Sequence, residues 1–160
     1  MRRALVVAAW AGLAALQYGI AVAYADRGTW WHYLLHQMVG WGLGLAAAGA
    51  WMALRRGSFV PPIAAAVGGQ VVSIMPDLMF RYLRMPHTAA MDLWVGHISI
   101  HRGPSPVLVA LGVALLGGAG WLCAAYGRQR GALALAAASA VLLIGACLLA
   151  EAVPRRLADY

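Results

Sequence analysis

The sequence contains no lysine, and its twelve basic residues are all arginine. Charged residues of both signs make up 11% of the 160 residues, whereas a typical soluble domain carries about a quarter. Such a chain cannot cover a water-facing surface with charge. Most of its length is therefore expected to face lipid or other apolar helices, which excludes an ordinary soluble globular domain.

Cysteine is scarce as well, and the two present, Cys123 and Cys147, lie inside apolar runs without a CxxC pair. They are expected to act as small buried apolar side chains rather than as a disulfide or metal ligands. The formal net charge of +7 raises the question of nucleic acid binding. Because the arginines form short flanks to apolar runs, membrane anchoring is the better interpretation, and no nucleic acid partner is expected.

Five apolar segments are long enough to cross a hydrocarbon core, which needs roughly 20 helical residues. They predict an all-α polytopic membrane bundle of about five transmembrane helices, with one long interfacial loop over residues 81–104, that forms a single integral membrane domain over residues 1–160. The expected helices cover residues 4–24, 33–54, 59–80, 106–126 and 131–153. The first begins like a signal peptide, but its apolar stretch exceeds the usual length of roughly 7–15 residues, so a retained helix is expected.

Glycines and arginines add expectations about packing and orientation. Small residues at close spacing predict close helix approach, here at Gly40, Gly42, Gly44, Gly49, Gly68 and Gly69. The arginines divide equally between the two ends of the segments, so their count alone gives no orientation. Arg2 and Arg3 open the first segment and favour a cytoplasmic N-terminus in a bacterial-type inner membrane.

All histidines and acidic residues of the sequence fall at one end of the expected bundle, whereas the charged residues at the opposite end are arginines only. The histidines are His32, His36, His87, His97 and His101, and the acidic residues are Asp26, Asp77, Asp92, Glu151 and Asp159. With a cytoplasmic N-terminus, this end faces the extracytoplasmic side. Imidazoles and carboxylates are unfavourable near lipid, so their presence indicates a functional site.

The spacing of these residues is typical of metal ligands. His32 and His36 are four residues apart, as are His97 and His101, so each pair projects from one side of a helix. Asp77 follows Pro76, which is expected to bend or end the third helix and direct the carboxylate inward. The predicted ligands are His32, His36, Asp77, His87, His97 and His101. Ligation by nitrogen and oxygen favours zinc, with manganese, iron or copper as alternative divalent metals.

Further roles follow from the neighbouring charged residues. Asp92 or Glu151 is a candidate catalytic general base. Arg81, Arg84 and Arg102 flank the cluster and are candidates for binding an anionic substrate, because guanidinium groups bind phosphate in a bidentate manner. Ordinary contacts of these arginines with the phosphates of membrane lipids are the alternative.

Three short motifs carry a family resemblance. They are Leu35-His36-Gln37-Met38-Val39-Gly40, the run from Gly68-Gly69 to Ile74-Met75-Pro76-Asp77, and His101-Arg102-Gly103. Over residues 33–115 the chain resembles the YdjM-like family of small inner-membrane proteins, which are described as metal-dependent hydrolases. The sequence departs from that family at Met79, where a second acidic residue is usual, and at Pro104-Ser105-Pro106, which replaces Thr-His-Ser.

The residues and the resemblance together predict a membrane-embedded metal-dependent hydrolase. Its expected substrate is an anionic, lipid-linked phosphoester at the bilayer surface. Two alternatives stay open at this point, namely a non-catalytic protein that binds or transports a metal, and a structural subunit of a membrane complex. Oligomer formation is also left open by the sequence.

Overall fold

A computed structural model describes residues 2–25, 30–55, 58–84 and 106–149. Within these ranges the chain forms five α-helices and no β-strand. The helices are α1 (Arg2–Ala25), α2 (Trp30–Leu54), α3 (Pro62–Leu83), α4 (Pro106–Tyr126) and α5 (Gln129–Leu148). The predicted all-α class is therefore confirmed.

Proline and glycine set several helix boundaries. α3 begins at Pro62 directly after Pro61, and α4 begins at Pro106. Proline is tolerated there because the first turn of a helix has no partner for its backbone N–H groups. After α4, Gly127 adopts a φ of 61°, a left-handed conformation that glycine reaches without steric strain.

Pro76 lies inside α3 instead of at its end. The helix continues to Leu83, beyond the predicted end at residue 80, so the expectation that Pro76 ends it is wrong. An internal proline removes one backbone hydrogen bond and favours a bend, but neighbouring helices allow the helix to continue beyond it. α3 ends where Arg84 takes a left-handed φ of 53° and donates its backbone N–H to the carbonyl of Met79.

The chain divides into two compact units, Met1–Leu34 and Leu35–Tyr160. In the first unit, the hydroxyl of Tyr33 donates a hydrogen bond of 3.0 Å to Oε1 of Gln17 on α1. The second unit holds the greater part of α2 together with α3, α4 and α5, and it contains His36 and Asp77.

Glycines of α2 determine how the second unit packs. Gly40 and Gly44 lie against α3, where a Cβ atom added at Gly40 would come within 2.5 Å of the Gln70 Cα. Gly42 and Gly49 lie against α4, where a Cβ atom at Gly49 would come within 2.9 Å of the carbonyl carbon of Gly120. α2 therefore packs between α3 and α4, and the order of these contacts makes it antiparallel to α3 and parallel to α4.

The predicted close approach is confirmed for five of the six glycines named from the sequence: Gly40, Gly42, Gly44, Gly49 and Gly69. It is wrong for Gly68, where an added Cβ atom would meet nothing within 4 Å. Gly68 and Gly69 are adjacent on a helix, so they point about 100° apart and only one of them faces α2.

Three helices of the described ranges, α3, α4 and α5, are long and apolar enough to cross a membrane. α1 and α2 lie at the positions of the other two predicted spans, and α1 includes the shorter apolar stretch Trp10–Val22. Large apolar side chains such as Val72, Leu116 and Val141 are exposed on the three spanning helices. Soluble monomers rarely expose apolar surface of this extent, so the chain is a helical membrane protein.

Cys123 and Cys147 also lie exposed, on α4 and α5. The expectation that they are buried is therefore wrong. In a membrane helix, the outward surface is as favourable for a small apolar side chain as the interior, because lipid tails are apolar too.

Trp121 lies at one end of the second unit, and His36 lies at the other end. Its ring makes edge contacts with Phe59 and Tyr126, with ring centroids 6.1 Å and 5.5 Å away. Its indole N–H donates to the carbonyl of Val60 at 3.0 Å. This bond gives the carbonyl of Val60, just before α3, a hydrogen-bond partner from α4.

We expect Trp121→Phe to lower the free energy of unfolding by about 1 kcal/mol, because it removes this hydrogen bond and keeps most of the aromatic surface. Unfolding by a denaturing detergent, followed by circular dichroism, measures the change. Trp41→Phe is the matched control, because Trp41 is exposed on α2. Equal effects of the two substitutions would contradict a stabilising role for the indole N–H.

Candidate functional site

His36 lies in the second turn of α2 with only 2% of its surface exposed. Leu35 and Val39 pack with Ala110 on the side of α2 that faces α4. His36 and Gly40 are one turn apart, and both face α3. Because Gly40 has no side chain, α3 comes close enough to α2 for its own short polar side chains to reach the imidazole.

Both ring nitrogens of His36 meet polar atoms of α3. Nδ1 is 2.9 Å from the hydroxyl oxygen of Ser73, and Nε2 is 3.2 Å from Oδ2 of Asp77. Ser73 and Asp77 are four residues apart and therefore lie on the same face of α3. A single turn of α3 thus holds the imidazole from both sides, which fixes the plane of the ring.

The three side chains differ in their access to solvent. His36 and Ser73 are buried, whereas 16% of the Asp77 side chain is exposed. The 3.2 Å separation is longer than a charge-assisted hydrogen bond, which is about 2.7–2.9 Å. Of the three side chains, Asp77 is therefore the one nearest to solvent, and its carboxylate lies at the mouth of the site.

The buried polar face of α3 continues inward from Asp77 and Ser73 to Gln70, which is fully buried. Sequence reasoning missed Ser73 and Gln70 and treated the helix interiors as apolar. A signal was present, since Gln70, Ser73 and Asp77 follow each other at intervals of three and four in an otherwise apolar segment. That spacing marks one helix face.

The structure brings two of the six predicted metal ligands together, His36 and Asp77. His32 lies in the first turn of α2, within the first unit, and its side chain falls outside the described residues. No group of three His, Cys, Asp or Glu side chains that could hold a metal is found within the described ranges. The other predicted site residues fall outside those ranges, namely His87, His97, His101, Arg102, Asp92 and Glu151.

Two of the predicted anion-binding arginines are described. Arg81 lies one turn beyond Asp77 on α3, and Arg84 directly follows the helix; both are exposed. The guanidinium carbon of Arg81 lies 5.6 Å from the ring centroid of Tyr82. Positive charge therefore lies beside the mouth of the site, where it favours an anion.

The helices and their exposed apolar surfaces define the class of protein, a polytopic helical membrane protein with a buried imidazole held at one end of its second unit. No family model, curated protein or solved structure matches the chain. The resemblance to the YdjM-like family is tested by none of these comparisons and stays a prediction.

Proposed function

We propose that this protein is a membrane-embedded metal-dependent hydrolase that acts on an anionic, lipid-linked phosphoester at the bilayer surface. The observation that carries the proposal is the convergence of His36 Nε2 and Asp77 Oδ2, 3.2 Å apart, at the end of two packed helices. Imidazole nitrogen and carboxylate oxygen are ligands of catalytic zinc sites.

The distance between these two atoms fits a shared metal ion. With metal–ligand bonds of about 2.0–2.2 Å, two ligands of a tetrahedral site lie about 3.3–3.6 Å apart. His36 and Asp77 come close to this separation without any change of helix packing. Ser73 supports the fit as well, since a metal-binding imidazole nearly always bonds a polar partner through its other nitrogen.

The remaining ligands are proposed from the segment 85–105. It joins Arg84 to Pro106, and both of these residues lie at the end of the second unit that holds His36 and Asp77, because α3 is antiparallel to α2 and α4 is parallel to it. His97 and His101 are the first candidates because of their spacing. His87 stays a further predicted ligand, and the prediction that His32 of the first unit is a metal ligand stays untested.

The chain's own residues have distinct proposed roles in hydrolysis. When bound, a divalent metal supplies Lewis acidity that activates water and polarises a phosphoryl oxygen. Arg81 and Arg84, with Arg102, bind the phosphate of the substrate and orient it toward Asp77. Asp92 or Glu151 accepts the proton of the attacking water.

The proposed substrate is lipid-linked because the site lies at the end of helices that expose apolar side chains to lipid. A substrate anchored in the same bilayer reaches such a site by lateral diffusion. We assign the site to the extracytoplasmic face of a bacterial-type inner membrane, because Arg2 and Arg3 favour a cytoplasmic N-terminus.

Metal analysis combined with a hydrolysis assay tests this function. Wild-type protein purified in detergent is expected to retain stoichiometric divalent metal and to hydrolyse phosphatidic acid in mixed micelles faster than soluble para-nitrophenyl phosphate. His36→Ala is expected to lose both metal and turnover. Ser139→Ala is the matched control, since this buried serine donates to the carbonyl of Gly112 between α4 and α5, away from the site.

Three outcomes separate the competing functions. Metal with turnover that depends on His36 supports the hydrolase. Stoichiometric metal without turnover of either phosphoester would favour a non-catalytic metal-binding or transport protein. If wild-type protein binds no metal and does not differ from His36→Ala, both the hydrolase and the metal-binding or transport function are refuted.

A further inference from the structure

Ser73 is the partner of His36 that the sequence did not reveal. Its hydroxyl oxygen lies 2.9 Å from Nδ1, and both side chains are buried between α2 and α3. A buried imidazole nitrogen without a partner is strongly unfavourable, so the choice of serine at this position determines which protonation patterns of the ring are stable.

A neutral imidazole carries its proton on one nitrogen and presents the other as an acceptor. Nε2 faces the carboxylate of Asp77 at 3.2 Å, and next to an ionised carboxylate, which is purely an acceptor, Nε2 is expected to hold the proton. Nδ1 is then the acceptor, and the Ser73 hydroxyl donates to it. We expect this hydrogen-bond pattern in the metal-free site.

Metal binding requires the opposite pattern. A nitrogen that binds a metal has lost its proton, so the ring stays neutral only when Nδ1 carries one. Nδ1 then donates, and its partner must accept. A hydroxyl group does both, because it has one donor hydrogen and two lone pairs and rotates freely.

We propose that Ser73 is a positioning residue that satisfies Nδ1 of His36 in both tautomers and so lets Nε2 exchange its proton for a metal. This inference rests on the proposed function. Metal binding at Nε2 would release one proton to solvent, and Nδ1 would take up one proton from solvent, so that the imidazole would remain neutral while the Ser73 hydroxyl turns from donor to acceptor. A backbone carbonyl at this position would accept only and would stabilise one tautomer alone.

The same three residue types also form nucleophilic serine sites, in which histidine takes the proton of the attacking hydroxyl. The burial of Ser73 argues against that role, because a nucleophile needs room for its substrate. A fluorophosphonate probe distinguishes the two roles. Covalent labelling of Ser73 would overturn the positioning role, whereas its absence in active protein supports that role.

Nitrogen-15 NMR of histidine-labelled protein tests the exchange directly, with the His36 signals assigned by their loss in His36→Ala. In metal-free protein we expect protonated Nε2 and unprotonated Nδ1, and after zinc addition the reverse. Ser73→Thr keeps the hydroxyl and is expected to behave as wild type. Ser73→Ala is expected to mix the tautomers of the metal-free ring and to weaken zinc binding by about 10–100-fold.

Ser139→Ala controls for the loss of a buried hydroxyl and is expected to change neither the tautomer nor the zinc affinity. If zinc binds at His36 without a change of tautomer, or if Ser73→Ala binds zinc as tightly as wild type, the role of Ser73 is refuted while the metal site stands. If zinc does not bind wild-type protein at His36, the proposed function fails together with this inference.

Discussion

Replacing Gly69 by alanine is expected to destabilise the second unit by more than about 2 kcal/mol, whereas the same change at Gly68 is expected to be neutral or slightly stabilising. A Cβ atom at Gly69 would overlap the carbonyl oxygen of Gly40 and would come within 2.6 Å of the Gly44 nitrogen. At Gly68 the added atom would meet nothing within 4 Å. The two substitutions are identical in chemistry and adjacent in sequence, and they differ only in the helix face.

The effect at Gly69 is large because the obstructing atoms belong to the backbone of α2. A side chain could rotate away from an added methyl group, but backbone atoms move only when the two helices separate. Close approach also brings Cα–H groups to carbonyl oxygens across the interface, and separation weakens those contacts. Since His36 reaches Ser73 and Asp77 across the same interface, Gly69→Ala is also expected to weaken the binding of zinc at the proposed metal site.

Reversible unfolding in mixed micelles, monitored by circular dichroism, compares the two variants with wild type. Gly117 and Gly118 offer a second matched pair on α4, because a Cβ atom at Gly117 would overlap the carbonyl of Gly42, whereas at Gly118 its nearest contact is an ordinary one with Leu135. Equal stability of Gly68→Ala and Gly69→Ala would show that α2 and α3 do not pack through this glycine.

The second large effect concerns the pair His36 and Asp77. We expect His36→Ala to lower the free energy of unfolding by about 2–5 kcal/mol, because it leaves a cavity and removes a partner from a largely buried carboxylate. Asp77→Ala is expected to be destabilising too. The double variant should be less destabilised than the sum of the two, by about 0.5–3 kcal/mol, because the contact is lost only once.

This cycle is carried out on metal-free protein, so it reports on the contact itself and not on the ion. Ser139→Ala combined with His36→Ala provides a reference cycle between buried residues of different helices, for which additivity is expected. Additive effects of His36→Ala and Asp77→Ala would contradict the 3.2 Å contact between Nε2 and Oδ2.

The fold was largely predictable from the sequence because a chain that crosses lipid must pair its backbone polar groups within the membrane. Long apolar segments must form helices, so the five helices could be placed from hydropathy, and Pro106 fixed the start of α4 correctly. The end of α3 was harder to predict. Proline ends many helices in water, but inside a bundle α3 continues past Pro76 to Leu83.

The candidate site was only partly predictable. His36 and Asp77 stand out because ionisable residues are rare in apolar segments, and glycine at Gly40 and Gly69 indicated that helices approach closely there. Ser73 and Gln70 did not stand out, since uncharged polar residues are common in membrane helices. Their importance depends on which face of α3 meets α2, and that face is set by the packing of Gly40 and Gly44.

X-ray absorption at the zinc edge tests the central claim most directly. Zinc-loaded wild-type protein is expected to show a first shell of nitrogen and oxygen ligands at about 2.0–2.2 Å, with an imidazole contribution that falls in His36→Ala. Ser139→Ala should give the wild-type spectrum. A first shell containing sulfur at about 2.3 Å, or spectra that are identical in wild type and His36→Ala, would contradict a metal site built on His36 and Asp77.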